Sequence, residues 1–224
     1  MESNKEVNKE VNKEVNNETG QTGSAGNRTR YMVQLALLIA VVLLMAFTPI
    51  GYLKINPALE ITLIVVPVAI GAIILGPKAG AVLGLVFGLT SYYQCFGSSP
   101  FGAALLQINP VTTAFLCIVP RVLAGWLAGW VFLLCRRGLK IKNVSYFAAS
   151  LACPLFNTVF FMLSLVGLFY HTEYIQGFVK TLGVHNPIAF IILFVGINGL
   201  IEAVVCFLVS GAVSRGLAAA LRQA

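Results

Sequence analysis

Val66-Pro67-Val68-Ala69-Ile70-Gly71-Ala72-Ile73-Ile74-Leu75-Gly76-Pro77-Lys78-Ala79-Gly80, continued by Gly84-Leu85-Val86-Phe87-Gly88-Leu89-Thr90-Ser91, decides the fold of this chain. The first part is apolar without a charge until Lys78. Gly-Pro followed by a cation marks a turn at a surface, so the stretch reads as two helices joined tightly. In the second helix Gly80, Gly84 and Gly88 recur every four residues and share one face. Glycine weakens a helix in water by about 1 kcal/mol relative to alanine, so such a stripe asks for a packing reason: close packing inside the bundle, or a surface for a partner protein.

The rest of the chain has the same character. Of its 224 residues 58% are hydrophobic and 10% charged, against about 25% charged in a soluble domain. A helix needs about 20 apolar residues to cross a bilayer. Six spans meet or approach that length, at about 31–49, 58–75, 79–95, 111–134, 146–169 and 188–213. The expected fold is an all-α membrane protein, a bundle of six transmembrane helices, filling residues 30–215. Residues 216–224 are expected as a C-terminal cytoplasmic tail. Residues 1–29 repeat Asn-Lys-Glu-Val three times and then turn polar; they are expected to form a disordered cytoplasmic tail because they have no core to bury.

Charge sets the orientation. The chain has no Asp, and five of its eight acids lie in the first 18 residues. With the N-terminus inside, the inner segments hold Arg28, Arg30, Lys78, Arg136, Arg137, Lys140, Lys142, Arg215 and Arg222. The outer loops, about 50–57, 96–110 and 170–187, hold only Lys54 and Lys180. This is a positive-inside pattern with both termini cytoplasmic, and it makes a nucleic-acid role for the net charge of +7 unnecessary. Cys95, Cys117, Cys135, Cys153 and Cys206 form no CxxC pair and read as small core hydrophobes. No metal or other cofactor is expected. GxxxxGK[ST], HExxH and GxSxG are all missing, so the chain is read as a non-enzyme that does not itself hydrolyse ATP through a P-loop.

Polar residues inside the spans are the candidate site. Arg121 lies in the fourth span, where a central arginine costs at least about 2.5 kcal/mol and must face a partner or a wet cavity. Glu202 sits mid-way in the sixth span with Asn198 one turn earlier, and Asn157 lies mid-span in the fifth. Two arrangements are open: an internal Arg121–Glu202 pair that holds helices together, or a polar substrate cavity. Tyr92, Tyr93 and Gln94 close the third span and Asn109 follows in the next loop; they serve as interface anchors or substrate contacts. His171 and His185 read as solvated loop residues. Ala36 and Ala40 are spaced for close approach of another helix.

Four features resemble the substrate-binding (S) component of an energy-coupling-factor (ECF) vitamin transporter. Ala36-x-x-x-Ala40 is similar to the motif with which S components dock on the transmembrane T component. The Val66–Gly80 turn and the Gly84–Ser91 continuation are similar to that family's second and third helices, and Pro120-Arg121-Val122-Leu123-Ala124-Gly125 to the start of its fourth. The resemblance covers about 31–214 and implies partners: a T component, two cytosolic ATPases and a vitamin, in the surrounding lipid of a bacterial plasma membrane. It also implies a site near the outer face, closed by the first outer loop, and release by toppling of the S component. The overall likeness is greatest to pantothenate-type S components, and Arg121 suits a carboxylate. Folate, niacin, a pyrimidine precursor, or a stand-alone small carrier remain open.

Overall fold

The computed structural model describes residues 28–48, 51–56, 59–138, 144–183 and 186–223. The N-terminal repeat, Lys140, Lys142 and His185 lie outside them. The chain divides at Leu37 into two units. The first holds the start of helix α1 (Arg28–Phe47), with Met32, Val33, Ala36 and Leu37 exposed. The second holds the end of α1, where Ala40 and Leu44 are exposed and Val42 and Ala46 buried, and all that follows.

After α1 the backbone forms a hairpin of β1 (Tyr52–Asn56) and β2 (Leu59–Thr62), antiparallel, with Tyr52 opposite Thr62. Next come α2 (Val65–Ile74), α3 (Pro77–Gln94), α4 (Pro100–Ile108) and α5 (Pro110–Gly138). The chain ends with α6 (Val144–Phe169), α7 (Glu173–Thr181) and α8 (Pro187–Gln223). Six of these helices lie where apolar spans were expected. Among the described residues four segments are both long and apolar enough to cross a membrane: α1, α5, α6 and Gly199–Ala220 within α8.

The second expected span needs correction. Residues 59–62 are a strand, because Leu59-Glu60-Ile61-Thr62 alternates with period two and finds a partner in Tyr52–Asn56. What remains of the span is the ten-residue α2, about 15 Å long against a hydrocarbon core of about 30 Å. The bundle is therefore helical apart from one hairpin. The two longer connections expected on the outer side are not plain loops. Pro100 and Glu173 open α4 and α7, capped by the hydroxyls of Ser99 and Thr172, which accept from the Gly102 and Ile175 N–H groups. Helix α8 also continues to Gln223, past residue 215, where the membrane domain was expected to end.

Glycine fixes the centre of the bundle. Gly76 precedes α3 at φ 94°, a left-handed conformation that side chains disfavour, and Pro77 then starts the helix. On α3, a Cβ at Gly80 would strike the Gly125 carbonyl of α5, and one at Gly84 would strike the carbonyl of Arg121. The two helices thus meet backbone to backbone. Beyond this contact Leu116 of α5, Met162, Leu165 and Phe169 of α6, Ile175 of α7 and Phe190 of α8 form one buried cluster. Ile73, Phe132, Tyr146 and Ala149 form a second, from α2, α5 and α6.

Gly84→Val should destabilise the protein by about 1–3 kcal/mol through overpacking. Gly167→Ala in α6, where an added Cβ meets no atom within 4 Å, should leave stability unchanged or raised. Melting temperatures of the two variants in detergent check this.

Candidate functional site

Pro120 organises the site. A proline inside a helix supplies no N–H, so the carbonyl four residues earlier loses its usual donor. That carbonyl belongs to Leu116, and Arg121 Nη1 donates to it at 2.7 Å. The side chain of Arg121 is thereby folded back along its own helix. Its guanidinium carbon lies 4.6 Å from the ring centroid of Phe161 on α6 and 5.6 Å from that of Phe87 on α3. Such contacts are worth about 0.5–2 kcal/mol, more when water is excluded. Arg121 Nε is buried and has no hydrogen-bond partner.

Asn157 sits one turn before Phe161 on α6, on the same face. It is buried, and its Oδ1 accepts no hydrogen bond. Two polar atoms of opposite character, a donor on α5 and an acceptor on α6, are therefore buried and unused. Phe161, whose ring meets the Arg121 guanidinium, stands one turn along α6 from Asn157.

Glu202 on α8 is buried. Its carboxylate accepts from the N–H of Thr62, the last residue of β2, at 2.6 Å. Arg121 acts on it electrostatically, yet among the described residues no ion pair joins the two. The side chain of Asn198 lies outside the described residues.

The other candidates are engaged elsewhere. Tyr93 is exposed and packs edge-on against Phe47, and Tyr92 packs edge-on against Phe96. Gln94 Nε2 donates to the Ala46 carbonyl at 2.8 Å, tying the end of α3 to α1. Asn109 caps α5: its Oδ1 accepts from Val111 N at 3.0 Å and Thr112 N at 3.3 Å. None of these contacts includes Arg121, Asn157 or Glu202.

The family profile described as "ECF transporter, substrate-specific component" matches residues 30–213. The chain belongs to that family. It is a transport subunit and a multi-pass membrane protein, not an enzyme; such S components work with a T component and ATPase subunits. The "Pantothenate transporter PanT" of Leuconostoc mesenteroides is 28% identical over 204 residues, covering 86% of this chain and 94% of that protein. The "Pantothenic acid transporter PanT" of Lactococcus lactis is 29% identical over 125 residues, covering 52% of this chain and 64% of that protein.

Several residues of this S component escaped sequence reasoning. Phe161 had a signal, its four-residue spacing from Asn157. Phe87 had one too, standing beside Gly88 on the α3 segment that meets α5. Thr62 had none, since its partner lies 140 residues away. Cys95 and Cys117 also approach, with sulfurs 3.8 Å apart at the end of α3 and one turn before Arg121.

Asn109→Ala should cost about 1 kcal/mol of stability by removing a helix cap. Ligand affinity should stay within about threefold of the parent, which is less than the loss of one typical hydrogen bond. Thermal melting and equilibrium binding on the same preparation separate the two effects.

Proposed function

We propose that this S component binds pantothenate from the outside and delivers it inward with a T component and two cytosolic ATPases. The observation that carries the proposal is the pair of buried, unused atoms, Arg121 Nε and Asn157 Oδ1. A buried polar atom without a partner is unfavourable by about 1–3 kcal/mol, so each asks for a ligand group. Nε asks for an acceptor, best an anion. Oδ1 asks for an O–H or N–H donor. A carboxylate that also carries hydroxyl and amide groups satisfies both, and pantothenate has that chemistry. Its name in both relatives supports the choice within this class.

Arg121 is the anion anchor in this reading, Asn157 and Asn198 orient the ligand, and Phe87 and Phe161 form its apolar walls. Tyr92, Tyr93, Gln94 and Asn109 hold the outer rim by the contacts already described. In this reading six helices, α1, α2, α3, α5, α6 and α8, are embedded in the membrane and both termini are cytoplasmic, which the charge bias of the connections supports.

Arg121→Lys keeps the charge but loses the planar fork. Pantothenate affinity should fall by about tenfold or more, the worth of a charged hydrogen bond. Arg121→Ala should fall further. Equilibrium binding of labelled pantothenate in detergent, with melting temperatures, checks both. An Arg121→Ala protein that melts lower but binds as tightly as the parent would move the site elsewhere.

Ala36 and Ala40, both exposed, are the proposed docking stripe for the T component. Ala36→Trp and Ala40→Trp should each abolish uptake in cells. Binding by the isolated subunit should remain intact, which a binding assay on the same variants measures.

A further inference from the structure

We propose that Cys95 and Cys117 are a disulfide-forming pair, and that on the outer side of the membrane they oxidise to a bond that joins the end of α3 to α5 around α4. The inference takes from the proposed function only its orientation, with both termini cytoplasmic, and nothing about the ligand.

Cys95 is the C-cap of α3, and Cys117 lies within α5. Both are buried, and their sulfurs stand 3.8 Å apart although the residues are 22 positions apart in sequence. The helix directions explain the meeting. Gly80 lies against Gly125, Gly84 against Arg121 and Gly88 against Ile118, so α3 and α5 run antiparallel. Side chains on a helix lean toward its start. Cys95, beyond Gly88, therefore leans back along α3 while Cys117 leans back along α5, and each sulfur comes toward the other. Helix α4 leaves room for them: a Cβ at Gly102 would lie 2.6 Å from Cys95 Sγ. Cys206 differs, for its sulfur meets the Ser210 hydroxyl on its own helix at 3.2 Å.

A disulfide needs sulfurs about 2.05 Å apart, so the pair must close by about 1.8 Å from 3.8 Å. The slack is on the α3 side. Past its glycine contact with α5 the helix unwinds at Cys95, whose N–H donates to the Tyr92 carbonyl at 3.1 Å, and the N–H groups of Gly97, Ser98 and Ser99 all turn to the Gln94 carbonyl. The oxidant is a low-molecular-weight disulfide, acting before α4 seats against Cys95 and covers the sulfurs. One cysteine, as its thiolate, attacks a sulfur of the oxidant; that S–S bond breaks, a bond to the protein sulfur forms, and one thiol leaves with the cysteine's proton. The second cysteine attacks the protein sulfur of this mixed disulfide and displaces the second thiol. Two protein thiols are thus oxidised while one disulfide is reduced to two thiols. Disulfides form and persist outside the cytoplasm, and in the proposed orientation α3 ends on the outer side. The bond turns the chain between Cys95 and Cys117, with α4 inside it, into a closed loop, which restricts the unfolded chain.

Cells making the full chain are quenched in acid, and the protein is denatured and alkylated with and without prior reduction. Without reduction, mass spectrometry should find the peptides of Cys95 and Cys117 linked, and the chain lighter by two hydrogen atoms than the reduced one. Cys135, Cys153 and Cys206 should be alkylated in both samples. In Cys95→Ser, Cys117 should be alkylated without reduction. The purified parent should melt about 5 °C or more higher oxidised than reduced, while Cys95→Ser should melt alike with and without reductant. Orientation is read separately. Gly97→Cys, placed where a Cβ meets no atom within 4 Å, in a chain that also carries Cys95→Ser and Cys117→Ser, should react with a membrane-impermeant maleimide on intact cells. Alkylation of both Cys95 and Cys117 without reduction, in cells where the Gly97→Cys chain is labelled from outside, overturns the disulfide. So does a link from either residue to a different cysteine. If Cys95 and Cys117 are alkylated and the Gly97→Cys chain is not labelled, the orientation fails and the disulfide with it. Equal melting of the oxidised and reduced parent overturns the staple.

Discussion

One hydrogen bond, from Arg121 to the Leu116 carbonyl, fixes the side chain on which the arrangement of polar groups in this protein depends. It exists because Pro120 leaves that carbonyl without its helical donor. The proline creates an unsatisfied acceptor inside the bundle, and the next residue in sequence fills it. The arginine is thereby held with no acid paired to it among the described residues, and its guanidinium lies against two phenyl rings. A lysine at this position has a single point of attachment and would lack the planar stacking surface.

Much follows from that arrangement. Because Arg121 is held by its own helix, Glu202 is left to the hairpin and Asn157 keeps an unused oxygen. The same stretch of α5 carries the backbone contact with α3, where the Arg121 carbonyl lies against Gly84. The side chain of residue 121 thus lies between Phe87 and Phe161 while its main chain forms the helix interface. A change in the packing of Gly84 would be felt at the Arg121 side chain without touching it.

The helical framework was legible because membrane burial leaves a coarse signature, long apolar runs broken by Gly76-Pro77 and by cations. The importance of Arg121 was legible for the same reason, since an arginine in such a run demands an explanation. The second span was misread because composition alone does not separate a strand of Leu59–Thr62 from the start of a helix; only its pairing with Tyr52–Asn56 does. The Arg121–Glu202 pair was a natural guess from charge, but a proline-freed carbonyl competes for the arginine and a strand end competes for the acid. Asn109 and Gln94 were open between anchoring and substrate contact because an amide near a loop carries the same sequence signal whether it caps a helix, ties two helices or meets a substrate.

Helices that touch through backbone atoms have no layer of side chains between them to repack. Shifting α3 along α5 by one residue would bring a neighbour with a Cβ against a carbonyl oxygen now faced by Gly80 or Gly84. The pair therefore behaves as a beam locked in register, unable to shear in small steps. Any cycle that lets a ligand in and out must leave this beam intact, either by carrying it as a rigid body or by moving parts hinged elsewhere. Arg121 belongs to this beam through its own carbonyl, so its side chain keeps its place along α3 whatever else moves.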